Sequence, residues 1–255
     1  MDRAIDSPTG DAGVSNSAAP LRPQHSLRRA AYLTASFGAV YSLLFLISYW
    51  LVSGQPGPGA SDAEVLAFYA TEAPRRFVLV GLYLMPFAGI AFVWFIVALR
   101  MWISGSGRGE DILLSNIQLV SGILFVGLFF AGGAAAAASA ASAEFLAAPV
   151  DVVVARQLPA LSNALVFVFA MRMAAMFVFA TSNIGRTTGA LPRWFVWLGF
   201  AVGLFLLLSA TFLQLLVLVF PIWTLVLSIL LTMRARHIPA DAVIGAPRVG
   251  LVAPG

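Results

Sequence analysis

Between Arg193 and Arg234 the chain runs for 40 residues without a charged side chain. As a single α-helix that stretch would be about 60 Å long, twice the roughly 30 Å of hydrocarbon in a bilayer. It has to fold back on itself. The polar residues nearest its middle are Ser209, Thr211 and Gln214. They place the turn and predict helices over 194–210 and 214–233.

Four further apolar runs precede it, over 31–52, 77–101, 112–138 and 159–184. Each is long enough to cross a bilayer with modest tilt. The composition agrees: 60% of residues are hydrophobic and 10% charged, against about 25% charged in soluble domains. The fold class expected is therefore all-α, a polytopic transmembrane bundle of six spans. Residues 30–235 form it. Residues 1–29, rich in Asp, Ser, Pro and Gly, read as a disordered cytoplasmic tail, and 236–255 as a second one. The first apolar run begins late and exceeds a signal-peptide core, which predicts an uncleaved helix.

All 15 basic residues are arginine. Their pI of about 10.1 would suggest a nucleic-acid partner in a soluble protein. Here they flank the apolar runs, where topology puts them, so no nucleic acid is expected. With six spans and the N-terminus inside, eleven face the cytoplasm: Arg3, Arg22, Arg28, Arg29, Arg100, Arg108, Arg186, Arg193, Arg234, Arg236 and Arg248. Arg75, Arg76 and Arg156 lie outside. That asymmetry places both termini in the cytoplasm. Together with an Ala-, Gly- and Arg-rich composition typical of GC-rich genomes, it points to a bacterial cytoplasmic membrane. An Arg-rich inner face suits anionic lipids.

Chemistry-bearing residues are scarce. There is no Cys, and His25 and His237 lie outside the apolar runs, which removes thiol chemistry and paired intramembrane haem ligands. The six spans hold no Asp or Glu, so acid–base and metal catalysis lack their usual groups. Neither enzymatic activity nor a cofactor is expected. Gly105-Ser106-Gly107-Arg108-Gly109 follows a membrane helix rather than a strand and lacks the Lys-Ser/Thr ending of a phosphate loop, so it reads as a connector.

Arg172 stands alone near the middle of the fourth span. A charge there costs roughly 2.5–3.5 kcal/mol on insertion scales, and arginine cannot shed its proton. It must find acceptors among backbone carbonyls, polar side chains, water or an anionic ligand. Asn183, Gln118 and Asn116 are the leading partners, with Tyr41, Tyr83 and Asn163 as further ones. Pro86 and Pro221 each free a carbonyl four residues back, at Leu82 and Val217. Arg172 either staples helices or binds an anion, lipid headgroup or polar solute. The expectation is that it faces the bundle interior and lines a polar cavity.

Small residues mark packing faces. Gly199 and Gly203 form a GxxxG pair on the fifth span, and Gly127, Ala131 and Ala135 a ladder on the third. Packing within one chain is the first reading, self-association the second. Ser61-Asp62-Ala63-Glu64 fits a capping box for a short amphipathic helix on the outer face. Tyr32, Trp50, Trp102, Trp194 and Trp197 fit interfacial belts, while Trp94 and Trp223 read as packing residues.

The segments Arg172-Met173-Ala174-Ala175-Met176-Phe177, Thr181-Ser182-Asn183-Ile184, Thr188-Gly189-Ala190-Leu191-Pro192-Arg193-Trp194 and Trp94-Phe95-Ile96, with Ala98-Leu99-Arg100, carry a family resemblance. The chain resembles a domain-of-unknown-function family of bacterial six-helix membrane proteins over about residues 30–235. The resemblance implies the span count and no activity. The function expected is an accessory, scaffolding or lipid-interacting role without catalysis, with another membrane protein or anionic lipid as partner. The alternative is a small transporter or channel for an anionic or polar solute using Arg172.

Overall fold

The computed structural model describes residues 27–52, 59–71, 73–104, 111–146, 149–209 and 214–236. Both expected tails lie outside this set, apart from residues 27–29, which join the first helix, and Arg236, which caps the last. The glycine-rich connector over 105–109 also lies outside it.

Every regular element among the described residues is helical. These are α1 (Leu27–Val52), α2 (Asp62–Tyr69), α3 (Ala73–Leu79), α4 (Met85–Ser104), α5 (Ile112–Leu146), α6 (Val152–Asn163), α7 (Met171–Thr188), α8 (Arg193–Leu208) and α9 (Val219–Ala235). Two joints are π-helical. Val80–Leu84 links α3 to α4, and Ala164–Ala170 links α6 to α7. A 3₁₀ turn, Gln214–Leu218, leads into α9. Five helices are long and apolar enough to cross a membrane: Arg28–Val52, Arg75–Ser104, Ile112–Leu146, Val152–Thr188 and Leu216–Ala235. At 16 residues, α8 is apolar but shorter.

The helices run alternately up and down. Tyr41 meets Phe92 while Gly38 lies beside Phe95, so α1 and α4 are antiparallel. Gly89 beside Phe130 and Ile96 beside Gly122 give the same sense for α4 and α5. Gln118 bonds Thr181 while Gly122 touches Phe177, which reverses α7 on α5. The chain thus forms a ring in which each long helix packs on its sequence neighbours and α9 closes back on α1. At that closure Ser42 Oγ donates to the Pro221 carbonyl at 2.8 Å.

The long charge-free stretch is two helices. Ser209 adopts extended backbone and ends α8. Arg234 Nη1 donates to the Ala190 carbonyl, and Gly199 lies against Trp223. As one residue number rises from 190 to 199, its partner falls from 234 to 223, the mark of an antiparallel hairpin. Pro221 lies in the first turn of α9, where no backbone donor is needed, so it does not kink a mid-span helix.

Several boundaries differ from the sequence expectation. α5 continues through its Ala-rich half to Leu146 because alanine is the best helix former and nothing there breaks the ladder. The fourth span begins at Val152, not Pro159. The Asp151 carboxylate accepts from the Val153 and Val154 N–H groups at 2.8 and 3.2 Å, which caps the helix seven residues earlier and leaves Pro159 inside it. The loop between α5 and α6 is correspondingly short.

The short helix α2 carries the full capping box. The Ser61 N–H donates to Glu64 Oε2 at 2.7 Å and the Glu64 N–H donates to Ser61 Oγ at 3.3 Å. At this end of the bundle, ion pairs join Arg156 with Asp62 at 2.6 Å and Arg75 with Glu144 at 3.1 Å. Both are exposed and worth at most about 1 kcal/mol each.

Candidate functional site

The middle of the ring is filled by aromatic rings. Phe92 of α4 lies 4.7 Å from Tyr41 of α1, 5.2 Å from both Phe125 of α5 and Phe177 of α7, and 5.4 Å from Phe220 of α9 (centroid distances). Five helices contribute to one cluster, and all five side chains are fully buried. Such contacts in edge-to-face and tilted geometry add roughly 0.5–1.5 kcal/mol each beyond area burial. They leave the bundle axis dry at this level.

Arg172 does not reach that centre. It is half-buried on a flank of α7, and among the described residues its guanidinium makes one hydrogen bond, Nη1–H to the Val168 carbonyl at 3.1 Å. The cleft described below does not include Arg172. The acceptor has a local origin. Val168 lies in the π segment, and its carbonyl, which also accepts the Met171 N–H at the end of that segment, takes the guanidinium on its second lone pair. On the opposite helix, Gly199 pairs with Ser182 and Gly203 with Phe179. Extended by two turns, that register brings the last turn of α8 to the level of Arg172. A helix C-terminus favours a cation.

The other expected partners are dispersed. Gln118 is buried and its Nε2 donates to Thr181 Oγ1 at 2.8 Å, which staples α5 to α7. Asn183 accepts from Arg186 Nη2 at 3.1 Å near the C-terminal end of α7, eleven residues from Arg172. Asn116 is exposed on α5. These four residues form no common site.

The packing residues divide in the same way. Gly199 and Gly203 are buried against Ser182 and Phe179 of α7. On α5 the expected ladder points outward: Gly127 and Ala131 are exposed, Ala135 is half-buried, and a Cβ on Gly127 would meet nothing within 4 Å. The close approach is made one residue further round, by Gly132 and Gly133. Gly132 receives Val166 of the second π segment, and Gly133 faces Gly81 of the first. Two aromatic assignments change likewise. Trp94 is 55% exposed and stacks on Phe37, whereas Trp102 is buried.

What the glycine pair positions is a cleft with room of about 120 Å³. Phe45 and Ser48 of α1, Val80 and Met85 around the first π segment, Phe129 of α5, Val166 of the second and buried Val217 before α9 line it. Tyr49, Pro159, Asn163 and Phe167, all half-buried, complete its wall. The lining is mostly apolar, and the Ser48 hydroxyl is turned back to the Leu44 carbonyl at 2.7 Å. Sequence reasoning missed this cleft. Its available signals were Gly81, Gly132 and Gly133, together with Pro86, whose missing N–H favours a stepped ladder just before it.

No protein-family model, no curated protein and no solved structure matches this chain.

Proposed function

We propose that this chain is an accessory, lipid-interacting protein of a bacterial cytoplasmic membrane, with six spans, both termini cytoplasmic and no catalytic activity. The observation that carries the reading is the contrast between the two interior spaces. The centre of the bundle is closed by aromatic rings in edge-to-face and tilted contact, while the cleft beside the π segments is mostly apolar. A solute carrier needs a polar route, and this cleft does not include Arg172. The antiparallel hairpin of α8 on α9 supports a sixth crossing, since it returns the chain to the side on which α8 begins. The motif residues around Arg172 support placement in the six-helix family that the sequence resembles.

Purified protein in vesicles tests the reading. Entrapped chloride, phosphate and a dicarboxylate should leak no faster than from empty vesicles, and Arg172→Met should change neither the rate nor the folded yield. Anion flux that Arg172→Met abolishes would establish transport instead. Mass spectrometry of material extracted in mild detergent should recover lipid, with or without a stoichiometric membrane partner.

A further inference from the structure

We propose that the cleft between the two π segments holds one hydrocarbon chain of an anionic phospholipid from the outer leaflet. The inference rests on the lipid-interacting reading above and makes it specific.

Three observations converge on it. First, two different spans abandon α geometry at the same cleft, at Val80–Leu84 and Ala164–Ala170. Each π segment is seated on one member of the Gly132–Gly133 pair. Single π turns in otherwise α-helical spans are concentrated at functional sites. Here each carries lining residues, Val80 and Gly81 on one and Val166 and Phe167 on the other.

Second, the size and lining select the chemistry. Room of about 120 Å³ is close to the engineered 150 Å³ apolar cavity that stays dry and binds benzene. Water gains little beside Phe45, Met85, Phe129 and Val166, and a short length of alkyl chain fits. In a bilayer, alkyl chains are the surrounding solvent, so a half-open apolar cleft between spans meets them at high concentration.

Third, the charge at the outer rim is complementary to a phosphate. The outer arginines all belong to elements that line the cleft. Arg76 is exposed and stands one helical turn outward of Val80 on the same face, immediately before the lining residue Phe77. Among the described residues its guanidinium has no acidic partner. Arg156 lies one turn outward of Pro159, and it anchors α2 through Asp62 and the Ala60 carbonyl, the latter at 2.6 Å. At the mouth, no described residue hydrogen-bonds the Asn163 side-chain amide, which leaves it able to donate to an ester carbonyl.

Photolabelling of the full chain in vesicles decides the matter. The probes are phosphatidylglycerol and phosphatidylcholine carrying the same mid-chain diazirine, each at low mole fraction, with adducts mapped by peptide mass spectrometry. Adducts are expected on Met85, Phe129 or Phe167. Ala136→Phe, which fills the cleft, should reduce them by about tenfold, as the loss of a few buried methylenes implies. Ser162→Leu serves as a second filling variant if the first does not fold. The phosphatidylglycerol probe should label the cleft several-fold more than phosphatidylcholine, and Arg76→Gln should erase that excess while leaving the adduct positions unchanged. Adducts confined to outward residues such as Leu82, Ile90 and Phe169, or cleft adducts indifferent to filling, overturn the site. Equal labelling by the two lipids overturns the headgroup assignment. Neither result affects the flux measurement, so failure of this site and failure of the lipid-interacting reading are separable.

Discussion

A methyl group added at Gly81 would sit 2.5 Å from both the Gly133 carbonyl oxygen and the Ala137 Cβ. Neither neighbour is the free end of a flexible side chain, so α3 and α5 would have to separate. Gly81→Ala is expected to cost about 1–3 kcal/mol, the usual range for overpacking. Gly127→Ala is the matched control: the methyl group enters open space and gains up to ~1 kcal/mol of helix propensity. Unfolding midpoints in mild detergent titrated with SDS should move in opposite directions for the two variants. Equal losses would mean that the outward ladder is buried against something else. Sequence alone could not choose between these faces. Gly127, Ala131 and Ala135 on one side and Gly133, Ala137 and Ala141 on the other are equally regular. Arg172 shows the same limit. The sequence names the cation, but its acceptor is a backbone oxygen that side-chain identity does not reveal.

Among the elements, the start of α2 was legible because its signal is local, although the helix is not the amphipathic one expected. Ser61 and Glu64 satisfy each other's backbone N–H within four residues, and no tertiary information is needed. The Glu64 carboxyl is held below its ordinary value, first by the Ser61 backbone N–H and then by the Ser61 hydroxyl. A depressed carboxylate stabilises the fold fully above its unfolded value, and that contribution is lost as pH falls through the folded value. Acidification from neutral pH through the folded carboxylate value should therefore loosen α2. Hydrogen exchange corrected for intrinsic rate should show falling protection in α2 and constant protection in α4. Glu64→Gln should remove the pH dependence, and an unchanged α2 profile in the parent would count against the cap. The π segments were illegible for the opposite reason. Over five or seven uniformly apolar residues, a 3.6-residue and a wider repeat predict the same buried and exposed types. Only Pro86 marks the first, and no residue marks the second.

At the scale of the whole chain, the hydropathy pattern was enough to forecast a helical bundle, because bilayer thickness converts run length directly into element count. It was also enough to require a hairpin in the last 40-residue run. What it could not supply was the depth of α8. At 16 residues that helix is about 24 Å long, short of the roughly 30 Å hydrocarbon layer. A crossing then needs either local thinning or help from residues flanking the helix. The alternative is a re-entrant hairpin that leaves on the side it entered, with α9 completing only half a passage. The lack of native cysteine makes the two geometries separable by single-cysteine labelling. Ala63→Cys in α2 should react with an impermeant maleimide in intact spheroplasts. Ser106→Cys and Arg236→Cys, the latter at an exposed position, should react only after the membrane is opened. The decisive position is Ser209→Cys at the end of α8. A six-span chain exposes it at the outer surface, whereas a re-entrant hairpin buries it away from the reagent on both sides. Labelling of Ser209→Cys from outside together with protection of Arg236→Cys fixes the orientation of α8 and α9 at once. It also places the cleft, whose lining residues lie toward the Val52, Phe77 and Pro159 ends of their helices, in the outer leaflet. Labelling of Arg236→Cys in intact cells would instead require an odd number of crossings and reverse the charge asymmetry of the last loop, against the positive-inside rule.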